Sequence, residues 1–156
     1  MCRVKITFLF FVVCFAVSCS TLDVYEKTSS FQKHEWMAND TVRCSFKIQD
    51  TASLYNIFVV VRHSDAYRYS NMWLNVATKA PNDTFIYQQI ELKLADNSKG
   101  WLGTGIDDIF AQRIRITRYP VQLKMGEYQF QVAHIMREDP LLSVLNAGIR
   151  VEKVNP

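Results

Sequence analysis

The stretch Val42-Arg43-Cys44-Ser45-Phe46-Lys47-Ile48 alternates without exception between apolar and polar residues. Successive side chains of a β-strand point to opposite faces. The pattern therefore predicts a strand with Val42, Cys44, Phe46 and Ile48 in a core and Arg43, Ser45 and Lys47 in water. The same period recurs along the chain. Met72, Leu74 and Val76 alternate with Trp73, Asn75 and Ala77, and Ile86, Ile90, Leu92 and Leu94 share one face opposite Tyr87, Gln89, Glu91 and Lys93. Ile114 and Ile116 alternate with Arg113, Arg115 and Thr117 until Pro120, which has no N–H to donate, interrupts pairing. Tyr128, Phe130 and Val132 alternate with Gln129 and Gln131. Ile57 to Val61 is apolar on both faces, as suits a central strand, and Gly148 to Val154 forms a last strand.

Turn chemistry separates these runs at Asn39-Asp40, Ser64-Asp65, Pro81-Asn82-Asp83, 96–100 and Lys124-Met125-Gly126. Roughly seven or eight short strands between such turns predict an all-β protein, a single antiparallel β-sandwich of immunoglobulin-like or Greek-key type. The spacing Leu123-x-x-Gly126-x-Tyr128 resembles a tyrosine corner, in which the phenol bonds backbone upstream at a Greek-key crossover. One short helical turn is expected near the end. There Asp139 would cap it, Pro140 would take its first position, Leu141, Leu142 and Leu145 would form its apolar side, and 146–148 would end it.

The first nineteen residues carry a different signal. Arg3 and Lys5 precede an unbroken apolar run from Ile6 to Val17. As a helix these residues rise roughly 18 Å, short of the ~30 Å hydrocarbon core, so the run reads as a signal peptide and not as a spanning segment. Ala16-Val17-Ser18-Cys19 follows, with small residues before a cysteine as in the lipobox of bacterial lipoproteins, although Ala16 stands where Leu is commoner. The alternative is ordinary secretion with cleavage near Ser18. With lipid on Cys19, the chain divides into a removed leader (1–18), a lipidated tether (19–33, with a first strand around Leu22 to Lys27) and a β-sandwich domain (34–156). Cys44 is then the sole thiol left, which excludes an intrachain disulfide.

Composition narrows function. Hydrophobic residues make up 49% and charged residues 21%, a globular balance. Loss of Arg3 and Lys5 with the leader takes the 18 basic residues to 16 against 15 acidic ones, which leaves no concentrated positive charge for nucleic acid. His34, His63 and His134 lack metal-ligand spacing, and His134 continues the inward face of Tyr128, Phe130 and Val132, where a hydrogen-bonded core or edge position is expected. Cys44, between Val42 and Phe46, reads as core rather than as a nucleophile. No cofactor or metal is expected.

The segment 100–108 holds three of the five glycines and ends in Asp107-Asp108. It predicts a structured hairpin loop or a helix start, and Trp101, Gly103, Asp107, Asp108 and, on a second segment, Arg137 are the residues expected to meet a partner. Trp36, Trp73 and Trp101 offer a rival reading, a carbohydrate-binding module whose exposed indoles stack on sugars. A third reading, an enzyme using Asp107 or Asp108, requires a concave site around a perturbed carboxylate. Arg113 and Arg115, but not Arg118, share a strand face, by default a solvated one and otherwise a contact for anionic lipid or a partner. Asp40-Thr41-Val42 and Asp50-Thr51-Ala52 resemble a short O-glycosylation signal of Bacteroidetes envelope proteins.

The order of these features resembles the gliding-motility-associated lipoprotein GldH family of Bacteroidetes. The resemblance runs from Cys19 to about Glu152. It rests on Trp36 with Asp40-Thr41, on Phe46-x-Ile48-x-Asp50, on the strand from Tyr55-Asn56 to Arg62, and on Tyr67-x-Tyr69-Ser70-Asn71. It continues through Gly100-Trp101-Leu102-Gly103-x-Gly105, Gly126-x-Tyr128-x-Phe130 and Met136-Arg137-x-Asp139-x-Leu141 to Gly148-Ile149-Arg150-Val151-Glu152. It implies a non-enzymatic envelope lipoprotein tied to gliding and the linked type IX secretion apparatus, with envelope proteins as partners and Cys19 as the one defined functional position. Family members also occur in non-gliding hosts. Ser20-Thr21-Leu22-Asp23 after Cys19 lacks the acidic cluster associated with surface display, which favours the periplasmic face of the outer membrane.

Overall fold

The computed structural model describes residues 24–154. The expected signal peptide, Cys14 and Cys19 lie outside the described residues. In chain order the strands are β1 (Val24–Ser30), β2 (Glu35–Trp36), β3 (Val42–Ile48), β4 (Leu54–Ser64), β5 (Asn71–Lys79), β6 (Ile86–Lys93) and β7 (Ala95–Asp96). They continue as β8 (Gly100–Trp101), β9 (Thr104–Ile106), β10 (Ile109–Arg115), β11 (Val121–Gln122), β12 (Gly126–His134), β13 (Leu141–Leu142) and β14 (Val144–Val154). The period-two expectation holds most closely in β3, where every inward residue is buried and every outward one exposed.

Two antiparallel sheets pack face to face. One runs β1-β14-β4-β10-β9, with β11 also on β4, and the other runs β3-β12-β5-β6. Val59, Val61, Ile149 and Val151 of the first sheet meet Cys44, Leu74, Phe130 and Val132 of the second in one core. As Ile57 to Val61 suggested, β4 is central, flanked by β14 on one side and by β10 and then β11 on the other. Beyond Arg115 the ladder continues through Ile116 N–H to Ile57 O at 2.9 Å, then breaks at Pro120 and resumes at Val121. Along β6 the expected inward face is only half realised, since Leu92 is buried but Ile86 lies in solvent at the strand's start on the sheet edge.

The strand expected within the tether runs Val24–Ser30 and pairs with β14 along its whole length, from Val24 opposite Glu152 to Ser30 opposite Asn146. Gly148 makes this pairing possible, because a Cβ there would lie 2.0 Å from the backbone oxygen of Lys27. On the outer face Glu26 accepts from Arg150 Nη1 at 2.8 Å and from Arg113 Nε at 3.3 Å, tying β1 to β14 and β10.

The helical turn expected from Asp139 is absent, and the same residues form β13 and the start of β14. Asp139 does cap backbone, but it is Ala38 N–H that donates to its Oδ1, at 2.8 Å, across the fold. Leu141 then pairs with Trp36 and is fully buried. Apolar tertiary contact overrides the local capping pattern. The one helical turn described, a 3-10 turn at Gln32–His34, lies elsewhere. The tyrosine-corner spacing is realised, since Lys124 N–H donates to the Tyr128 phenol oxygen at 2.9 Å.

Register defines two ends. Ser30, Val42, Ser64, Asn71, Lys93, Ile109, His134 and Val144 lie at one end of the sandwich, joined by the connections 31–41, 65–70, 94–108 and 135–143. Val24, Ile48, Leu54, Lys79, Ile86, Arg115, Gly126 and Val154 lie at the other. The longest strands, at ~3.3 Å per residue, separate the ends by about 35 Å. Two stability measurements follow. Gly148→Ala should cost at least about 2 kcal/mol by overpacking against β1, and Tyr128→Phe about 1 kcal/mol by removing one acceptor, both read from urea unfolding midpoints.

Candidate functional site

All five residues expected to meet a partner sit on connections at the end of the sandwich remote from Val24. Asp107 and Asp108 are the exposed tip of the β9–β10 hairpin, in which Ile106 pairs with Ile109 across the two aspartates. Asp107 takes the turn with φ at 52°, a region Asp tolerates better than bulkier residues. Asp65 N–H donates to Asp108 O at 2.8 Å and holds the tip against the β4–β5 connection. The structured hairpin is thus the form that the sequence leaves open against a helix start.

At the base of the hairpin lies an aromatic cluster. The Trp101 ring packs 4.6 Å from His63 and 5.9 Å from Phe110, and Tyr67 stands 5.4 Å from His63. His63 is fully buried at the inward position that follows Ile57, Val59 and Val61, so its place was legible from β4's alternation. Its Nδ1 lies 2.9 Å from Ser64 O and its Nε2 3.3 Å from Gln112 Nε2. A carbonyl requires a donor and an amide nitrogen requires an acceptor. The ring is therefore the neutral tautomer with its proton on Nδ1. Gln112 Nε2 also donates to Leu94 O at 2.9 Å, which ties β10 to the chain leaving β6. Gly103 belongs to this network, because its φ is 84° and a Cβ would stand 2.7 Å from Gln112 Cγ. Gln112 falls two residues before Ile114 on the inward face that alternation predicts, but the sequence gives no sign of the polar partners it meets there.

Arg137 is exposed on the neighbouring 135–143 connection. Its neighbour Glu138 accepts from Arg68 and raises the Tyr69 phenol by hydrogen bonding, and Tyr69 stands edge-on to Tyr67 at 5.7 Å. Trp101 on β8, Gly103 and the aspartate tip of the β9–β10 hairpin thus lie on one connection, and Arg137 borders it through Tyr69 and Tyr67. An open cleft of about 610 Å³ lies beside them, lined by Ser70, Asn71, Glu91, Lys93 and 95–98. Its carboxylates are engaged. Glu91 accepts from Asn71 at 2.6 Å, and a hydrogen bond from Lys93, reinforced by Ser98, holds Asp96 below the ordinary carboxylate range. Asp107 and Asp108 do not line it and stand exposed at the hairpin tip.

The tryptophans separate. Trp36 has no exposure, stacks on Phe31 at 4.7 Å and donates from Nε1 to Asp40 O at 2.8 Å. Trp101 is half-buried in the cluster, and Trp73 alone is open, at 39%. The sugar-binding reading therefore rests on Trp73 alone. Cys44 is buried with its thiol 3.4 Å from Lys27 O, and burial pushes it up, the opposite of a nucleophile's environment. No group of three or more potential metal ligands occurs among the described residues. His134 is buried as expected, yet neither ring nitrogen has a well-formed hydrogen bond. The Trp36 backbone is its polar neighbour, and the two rings meet edge-on at 5.3 Å.

Burial pushes both His63 and His134 below the ordinary histidine value. The unfolded chain then binds these protons first as pH falls, so stability is complete above about pH 6.5 and declines below it. Each histidine contributes at most about 1.4 kcal/mol per pH unit. Thermal unfolding should show a falling midpoint from pH 7 to 5.5, with a shallower slope in His134→Phe. A flat profile would contradict the buried neutral rings.

The model of a family described as GldH lipoprotein matches residues 23–151. A protein of Christiangramia forsetii named gliding motility lipoprotein GldH homolog is 26% identical over 94% of this chain and 93% of its own length. The gliding motility lipoprotein GldH of Flavobacterium johnsoniae is 24% identical over 87% and 88%. Among solved structures, the infectious bursal disease virus VP2 subviral particle aligns with 85% of this chain and 33% of its own, at a TM-score of 0.38 and 16% identity, too remote to carry an argument.

Proposed function

Because this chain belongs to the GldH lipoprotein family, we propose that it is a non-enzymatic accessory protein of gliding motility and the linked type IX secretion apparatus, held by lipid on Cys19 to the periplasmic face of the outer membrane. Two relatives bear names that join motility to lipoprotein character. The lipobox-like Ala16-Val17-Ser18-Cys19 supports the attachment site, and the lack of an acidic cluster in Ser20-Thr21-Leu22-Asp23 supports the periplasmic side.

One structural observation carries the rest of the reading. The chain enters the sandwich at Val24, while Trp101, Asp107, Asp108 and Arg137 stand at the opposite end. A protein tethered at one end presents the other, about 35 Å away, to whatever lies beyond the membrane surface. That remote end is acidic on its connections, which hold eight Asp and Glu, Asp65, Asp107 and Asp108 among them, against Lys33, Arg68, Lys99 and Arg137. Charge of one sign at a docking surface speeds encounter and selects complementary partners, here basic ones.

Crosslinking in intact cells followed by purification of this chain tests the proposal. The wild type should capture envelope proteins of the motility and secretion machinery, and the Asp107→Lys, Asp108→Lys double variant should lose them while keeping its unfolding midpoint. Metabolic fatty-acid label should enter the wild type and not Cys19→Ala. An unchanged set of partners in the double variant would contradict the docking role.

A further inference from the structure

The end of the sandwich at which Val24 enters has a surface of its own. The tip of this end is built from the connections 49–53, 80–85 and 116–125, which touch one another. Gln122 Nε2 donates to Thr51 O at 2.6 Å, Lys124 pairs with Asp83 at 3.3 Å, and β11 pairs with the start of β4 at Leu54. Tyr119 and Met125 stand out from it at 65% and 66% exposure, and Leu54, opposite Gln122, is exposed too. Tertiary structure has no use for these side chains. Apolar side chains are exposed at the remote end too, Ile106 at 73% among them, so it is the charge around Tyr119 and Met125 that sets this end apart.

Cations surround them. Asp50 and Asp83, the carboxylates on these connections, are engaged by Lys153 at 2.8 Å and by Lys124. Arg115 and Arg118 have no carboxylate partner among the described residues. Arg115 donates to Arg118 O at 3.3 Å, and the Arg118 guanidinium stands 5.4 Å over the Tyr119 ring. Exposed aromatic and thioether side chains ringed by guanidinium and ammonium groups are the composition of surfaces that rest in the headgroup region of a bilayer.

The length of the tether names the occupant. Four residues, Ser20 to Asp23, separate Cys19 from Val24, and they span at most about 17 Å even when fully extended. A folded partner domain of ordinary size is wider than that gap. We propose that this end of the sandwich rests on the anionic bilayer surface, with Tyr119, Met125 and Leu54 among the headgroups and Arg115 and Arg118 against lipid phosphates. The proposal rests on the Cys19 anchor put forward above.

Lipidated protein in vesicles of phosphatidylethanolamine and phosphatidylglycerol provides the test. An environment-sensitive fluorophore is placed on Met125→Cys or, at the opposite end, on Ile106→Cys, and the native Cys44 is buried and does not compete. Spin-labelled lipids should quench the fluorophore at 125 and leave that at 106 bright. Adding Arg115→Glu and Arg118→Glu should lower the docked-to-undocked ratio roughly fivefold per cation lost, with flotation on the vesicles unchanged. Equal quenching at the two positions, or quenching at 125 that ignores the charge reversal, overturns the proposal. Protein that fails to float contradicts the Cys19 anchor instead.

Discussion

Pairing of β1 with β14 is the constraint on which the architecture and its use depend. The two strands lie more than a hundred residues apart in the chain and meet along seven register positions. Gly148 lets their backbones close, and Glu26 fastens them through Arg150 and Arg113. These partly exposed ion pairs contribute little individually. Their value is geometric, because β1 reaches the outer edge of the six-stranded sheet and determines the end of the sandwich at which the N-terminal chain arrives.

From that one pairing the two ends acquire different surfaces. The end at Val24 carries Arg115 and Arg118, which have no carboxylate partner among the described residues, beside exposed Tyr119 and Met125, while the remote end carries the acidic hairpin tip over a packed cluster of His63, Tyr67, Trp101 and Phe110. The cluster matters to the tip's shape. Trp101 and Gly103 are held by burial against His63 and Gln112, and Asp108 is fastened to the next connection at Asp65, so the carboxylates project from a fixed base. Rigid presentation on a long scaffold suits binding of a partner better than chemistry in a cleft.

Much of this was legible in the residues and some was not, for reasons that can be named. Strict alternation in Val42 to Ile48 reports burial directly, since each inward residue meets the opposite sheet. The inward place of His63 and His134 follows from the same rule. The Leu123 to Tyr128 spacing works because the phenol bonds backbone only four residues away. The segment from Asp139 failed for the converse reason. Its capping and leucine spacing are local signals, and they lose to the burial of Leu141 beside Trp36, a contact between residues 105 positions apart in sequence. Ile86 looked inward because a sequence does not reveal where a sheet edge ends. Gln112 and Gly103 depend on each other across a hairpin, and neither shows that dependence alone. The shared location of the 100–108 segment and Arg137 emerges only from register.

The account stands on the sandwich being upright on its membrane, anchored end down and acidic hairpin up. Energy transfer from a donor on Ile106→Cys to acceptors in the lipid headgroups of reconstituted vesicles measures that height directly. A donor about 35 Å or more above the headgroups is the result expected from the strand lengths. A donor within about 15 Å of them, as for a sandwich lying on its side with its sheets ~10 Å apart, would contradict it.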